Sequence, residues 1–237
     1  MGAPGMEALC EKPRLRRLLD HVSAVTDPRE PWRVAYPLPE VLLLVVCGTI
    51  ASCDDYDDIV DWGEAHLAFL RRFLPYFHGV PCAEWLRTLM NRVEPEVFST
   101  CFLSWVHETW PDAPKLVAID DKTSRRSHDR GTGKQALHLV SAFATNERPP
   151  LDPARLAQAV RAHWRIENSL HWVLDVVFRE DLSRLRKGHG ATNMALVRHF
   201  ALNLVRTARD RRSLKTRRKR ASGDPQYLQA LLAPSAR

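Results

Sequence analysis

Two stretches of the 237-residue chain carry acids in patterns that could do metal or proton chemistry. The first, "VAIDDKTSRRS" at 117–127, closes an aliphatic run on Asp120 and Asp121 and follows it with Lys122, Arg125 and Arg126. Such a run reads as a buried strand ending at Asp120, and α/β folds place ligands and metals at strand ends. The same residues also suit a turn aspartate ahead of a solvated basic loop. The second stretch, "RAHWRIENSLHWVLDVVFRED" at 161–181, sets His163, Glu167 and His171 at i, i+4 and i+8 on one helical face. Trp164, Asn168, Trp172 and Val176 form the neighbouring row. One helix cannot wrap those three side chains around a single zinc ion, because the outer two lie about 12 Å apart along the axis. Glu167 then either joins another acid at a metal or pairs with a surface Arg or His, leaving Trp164 and Trp172 to the core.

A third pattern is cationic. Between Arg206 and Arg220 stand nine bases (Arg206, Arg209, Arg211, Arg212, Lys215, Arg217, Arg218, Lys219 and Arg220) against the single acid Asp210. That density suits a polyphosphate partner, here double-stranded DNA, with Lys122 and Arg125 as further phosphate contacts. The alternative is a solvated helix face. The opposite sign gathers earlier: from Glu40 to Leu70 there are seven acids and no Lys or Arg. Five cysteines without a C-x-x-C pair indicate neither a disulfide framework nor a zinc knuckle, which fits a reducing cytoplasm. "VLLLVVCGTIASC" is too short to span a bilayer and reads as a core helix, and the N-terminal residues resemble neither a secretory signal nor a myristoylation motif.

Breakers and periodicity supply the elements that must position these residues. "PLPEVLLLVVCGTIASC" opens a helix with prolines in its first turn. The acidic stretch that follows predicts a helix weakened at Gly63. "CAEWLRTLMNRV" and "EPEVFSTCFLSWVHETW" predict a helix-turn-helix-like pair, suited equally to bundle packing and to DNA contact. After Pro114 the period changes: "KLVAID" and "ALHLVSAFAT" read as two strands, plausible partners in a hairpin, and a helix is expected from near Pro153 to Phe178. The reading is mixed α/β but mostly helical, with a helical domain over 11–110, a second domain over 115–210 and a basic tail over 211–237.

Taken together, "VAIDDKTSRRS…ALHLVSAFATNE" and "RAHWRIENSLHWVLDVVFREDLSRLRKGHGATNMALVRHFALNLVR" resemble bacterial insertion-sequence transposases of the DDE type, in the branch of the H-repeat-associated proteins. "YPLPEVLLLVVCGTIASCDDYDDIVDWGEAHLAFLRRFLP" is similar to the helical segment that precedes the catalytic domain there. The resemblance implies an RNase H-like core in which three carboxylates hold two divalent metals, Mg2+ or Mn2+, for phosphodiester cleavage and strand transfer at transposon ends. Asp120 matches the first acid and Glu167 the last. It further implies DNA as partner, a cytoplasmic setting and no membrane association, and leaves homo-oligomerisation open. The chain departs from the family in two ways. The family prefers Gly at 121 and 126 and Leu at 124, where Asp121, Arg126 and Ser124 stand. The segment bearing the second catalytic aspartate has shrunk to "RPPLDPARLAQAV", whose Asp152 lies between prolines. The expectation is an internally deleted transposase with an incomplete RNase H-like domain and defective catalysis. The rivals are a non-catalytic DNA-binding repressor and a remnant without function.

Overall fold

The computed structural model describes residues 20–21, 27, 29–30, 34–96, 99, 116–124, 137–145 and 170–232, with backbone alone for the two strands. Two compact units emerge: 1–109 together with 188–237, and 110–187. The described part of the segment that the sequence sets apart as a tail, 211–232, carries two helices and belongs to the same unit as the N-terminal helices. The described residues are mostly helical, and none of their helices is long and apolar enough to cross a membrane.

The first unit is organised by α1, Leu38–Ile50, the apolar run expected as a core helix. Every residue of it except Pro39 is buried. A helix apolar on all faces needs cover on all faces. Here α6 (Gly190–Arg206), α2 (Tyr56–Ala65) and α7 (Leu214–Gly223) pack against it. Further helices of this unit are α3 (Leu67–Leu70), α4 (Ala83–Met90) and α8 (Pro225–Leu232). The acidic residues ahead of α2 serve its start: Asp55 accepts a hydrogen bond from the Asp58 amide at 2.9 Å, and Asp58 accepts one from the Asp54 amide at 3.2 Å. Negative charge in this first turn also meets the positive end of the helix dipole.

The weak point expected at Gly63 lies instead at His66, where α2 gives way to α3. Gly63 is helical and serves packing: a Cβ there would stand 2.5 Å from Leu44 Cδ1 of α1. The absent side chain is what lets α1 and α2 approach.

One polar device interrupts this core. Glu40 in the first turn of α1 is buried, and its Oε1 accepts the Tyr76 amide at 2.7 Å while the Tyr76 hydroxyl donates to the Glu40 carbonyl at 2.6 Å. Burial pushes the Glu40 carboxyl above its usual range, against the opposing pull of the Tyr76 N–H and of His78. Tyr76 is itself buried at a φ of 46°, a left-handed conformation that costs about 1–2 kcal/mol in a non-glycine residue and persists only where its surroundings fix it.

In the second unit, β1 (Leu116–Ser124) and β2 (Leu137–Thr145) form an antiparallel pair running from Leu116↔Thr145 to Ser124↔Leu137. The hairpin agrees with the sequence reading, but Asp120 does not end its strand. It pairs with Ser141 at the centre of β1, because the partner strand carries the ladder on through Lys122 to Ser124. Helix α5 (Trp172–Val176) is the described part of the long helix expected to end near Phe178, and a short 3-10 turn follows at Glu180–Leu182.

The contact between α1 and α2 yields a test. Gly63→Ala is expected to destabilise by about 1–3 kcal/mol through overpacking, and Leu44→Ala by about 2–5 kcal/mol through the cavity it leaves. The double variant should be less destabilised than the sum, since the shortened side chain at 44 makes room for the new methyl. Denaturant unfolding of the four proteins measures that coupling, and strict additivity would contradict the proposed contact.

Candidate functional site

The cationic segment belongs to the first unit and is built around Asp210. Between α6 and α7 its carboxylate accepts the Arg212 amide at 3.1 Å, Arg212 Nη1 at 3.1 Å, Arg217 Nε at 2.9 Å and the Tyr227 hydroxyl at 2.7 Å. Arg217 also donates to the Asp210 carbonyl at 2.5 Å and to the Val205 carbonyl at 3.1 Å. Burial alone would raise the Asp210 carboxyl, but the Tyr227 hydroxyl, the Arg212 amide and the Arg217 guanidinium outweigh it and hold the group well below the usual carboxylate range. The phenol of Tyr227 responds in the opposite sense, pushed up to about 12 by burial and by its bond to Asp210.

Arg218 faces inward from α7 and is 3% exposed. Its Nη2 and Nε donate to the Thr49 carbonyl at 2.9 and 3.2 Å, and Nη2 lies 3.7 Å from Asp54. Thr49 occupies the last turn of α1, where carbonyls lack intrahelical partners and the helix dipole favours a cation. Burial lowers the guanidinium to about 10, a shift that Asp54 opposes. Arg220 pairs with Asp224 at 3.1 Å and lies 4.4 Å from the Tyr227 ring centroid. Arg206 is half-buried at the end of α6, and burial lowers its pKa too.

The nine cations of this segment thus separate into two groups. Arg217 and Arg218 are internal, Arg206 is half-buried, and Arg212 and Arg220 are exposed but held by acids. Arg211, Lys215 and Lys219 are exposed, as is Arg209. The sequence held the signal for this division. Leu214 and Ala221 stand seven apart on α7 and mark its inner face, and Arg217 and Arg218 fall between them on the same side, whereas Lys215 and Lys219 stand four apart on the outer one.

The acids expected at the metal are placed unevenly. Asp120 and Lys122 lie in β1; Arg125, Asp152, His163 and Glu167 fall outside the described residues. Asp120 and Asp121 occupy consecutive positions of one continuous strand, so they belong to opposite faces. His171 is buried, and Trp172, whose alternative role was core packing, is 53% exposed. Among the described residues no three His, Cys, Asp or Glu side chains are gathered as metal ligands. Two carboxylates alone would not hold a pair of divalent ions about 3.5–4 Å apart, whose mutual repulsion needs several anionic ligands to offset it.

Comparison with known proteins follows the same division. A family described as "DDE_Tnp_1-associated" matches residues 19–106, and one described as "Transposase DDE domain" matches residues 150–204. Chains of this class are DDE-type transposases. This one belongs to that family, from insertion sequences. It is 34% identical over 132 residues to the H repeat-associated putative transposase YhhI of Escherichia coli K12, a match spanning 55% of this chain and 35% of that relative. With the Inactive transposase YbfQ of the same strain it shares 32% identity over 78 residues, 33% of this chain and 93% of the relative. The Putative transposase YncI of Escherichia coli O157:H7 is 22% identical over 370 positions, covering 92% of this chain and 95% of that protein. A chain of 237 residues leaves well over a hundred of those positions without a counterpart. The chain thus spans about a third of YhhI and 52% of the related YbfD. Asp120 lies between the two family-matched segments and Glu167 within the second. No solved structure matches.

The two groups of cations separate by stability. Arg217→Ala and Arg218→Ala should each cost about 1–3 kcal/mol by leaving buried acceptors unpaired, while Arg211→Ala, Lys215→Ala and Lys219→Ala should stay within about 0.5 kcal/mol of the parent. Because the folded Asp210 carboxyl is depressed, its contribution is full above its ordinary value of 3.8 and is lost as pH falls through the lower folded value. Asp210→Asn should therefore flatten the acid limb of stability against pH. An acid limb unchanged by that substitution would contradict the role given to Asp210.

Proposed function

We propose that this chain is an internally shortened transposase that retains DNA binding and does not complete strand cleavage. The observation that supports this reading is the YncI comparison, in which 92% of the chain is matched across 370 positions, well over a hundred of them without a counterpart in this chain. By family resemblance Asp120 and Glu167 are the first and last acids of an RNase H-like site over residues 115–210. The acid between them is what the shortening removes. With two carboxylates in place of three, the site supports at most one weakly held Mg2+ or Mn2+. DNA remains the partner through the cationic helix α7, whose exposed Lys215 and Lys219 continue the charge of Arg209 and Arg211. Such a protein works in the cytoplasm, where the DNA is, and could occupy transposon ends without cutting them.

Purified protein with Mg2+ or Mn2+ should neither nick nor join DNA carrying the ends of its parent element. Gel assays of end cleavage and strand transfer measure this. Cleavage abolished by both Asp120→Ala and Glu167→Ala would overturn the reading and direct attention to Asp121, Asp152 and Asp175 as substitute ligands.

Binding should persist and depend steeply on salt. Each phosphate neutralised contributes a slope of about −0.9 in log K against log salt, so replacing Arg211, Lys215 and Lys219 together by Ala should lower the slope by roughly two to three units. The thermal midpoint should hold, because those side chains are exposed. Phosphate contacts carry no direct sequence information, so all duplexes should weaken alike. An unchanged slope would leave α7 an ordinary solvated surface.

A further inference from the structure

The turn between α3 and α4 presents an aromatic side chain in a way that hydrophobic burial does not explain. Gly79 N donates to the Tyr76 carbonyl at 3.0 Å, closing a four-residue turn with Phe77 and His78 at its apex. Phe77 is 83% exposed, the most exposed of the large apolar residues described. Single exposed apolar residues are common, but this one stands on a rigid base. Tyr76 beneath it is buried in the left-handed region, with its amide and hydroxyl both bound to Glu40, and Gly79 closes the turn at a φ of 72°. Arg71 donates to the Tyr76 carbonyl at 3.2 Å, and the His78 ring meets the edge of Tyr36 at 6.3 Å. Backbone strain and a buried carboxylate are thus spent on fixing a turn whose apex touches solvent.

The charge of this stretch of sequence indicates what that apex meets. Between Glu64 and Glu84 the chain has no acid, while Arg71, Arg72, His66 and His78 fall in the interval, and Arg71, Arg72 and His78 are exposed. Arg72 is held toward α8 by a 2.8 Å bond to Gln229 and keeps further N–H donors for other acceptors. An open aromatic side chain on a turn that an arginine also reaches suits single-stranded nucleic acid, where a ring stacks on a base and cations follow the phosphates. Resting on the DNA-binding function proposed above, we propose that Phe77 stacks on a base whose face is open, in a single strand or at a frayed duplex end, while Arg71 and Arg72 hold the adjoining phosphates. This contact is separate from α7: it reads an unpaired base, and α7 reads only the backbone.

The test uses the full chain with an oligonucleotide carrying 2-aminopurine, offered as a single strand and at the end of a duplex. The parent protein should quench the probe. Phe77→Ala should weaken single-strand binding about tenfold, with the quenching lost and the salt slope unchanged, because a ring releases no counterions. Phe77→Trp should restore both affinity and quenching, and Phe77→Leu should behave as Phe77→Ala. The thermal midpoint serves as the folding control, since the side chain buries little. Affinity unchanged in Phe77→Ala, or full affinity in Phe77→Leu, would overturn the stacking contact alone. Altered sedimentation of Phe77→Ala without DNA would overturn it by showing that the apex binds a second copy of the chain. A parent protein that binds neither probe at low salt would overturn the DNA-binding function itself, and the stacking contact with it.

Discussion

The burial of α1 is the constraint on which the first unit depends. A thirteen-residue helix apolar on every side offers no face to water, so elements from both ends of the chain must close around it. Burial also removes water from its two ends, and each end then needs a protein partner. At the first turn the Pro37 carbonyl accepts the Glu40 and Val41 amides and Tyr76 satisfies the buried Glu40 carboxylate; at the last turn Arg218 reaches the Thr49 carbonyl. The turn that displays Phe77 and the inward rotation of α7 are consequences of covering one greasy cylinder.

Residue type and residue role diverge for this reason. Arginine is suited to both of the tasks found in the cationic segment, because its five donors can fan across several acceptors. Arg217 spends them on Asp210 and on two backbone carbonyls, and Arg218 on a helix end. Lysine, a point charge on a flexible stem, appears at 215 and 219 on the solvent side. The division of labour within α7 thus follows the chemistry of the two cations as well as the geometry of the helix.

Much of this architecture is legible in the sequence. The prolines before an unbroken aliphatic run announce α1, and the change of period after Pro114 announces the β1–β2 hairpin. What escaped were relations between distant segments. Gly63 looks like a helix breaker until Leu44 is seen against it, and Arg218 looks like a phosphate ligand until the end of α1 is seen to need a donor. Asp120 looks terminal because the aliphatic run stops there, but a strand ends where its partner ends, and β2 continues to pair through Ser124. Glu167 is an expectation from its motif and lies outside the described residues.

The discontinuity of the first unit governs the order in which it can assemble. Helix α1 leaves the ribosome early, whereas α6, its main cover, is encoded some 150 residues later. At about 5–20 residues per second the apolar helix waits roughly ten to thirty seconds before its partner exists. During that interval it is a sticky surface in search of a lid, open to chaperones or to aggregation. Any segment placed between α1 and α6 lengthens that wait, so the spacing of the two halves of a divided core along the sequence is also a spacing in time.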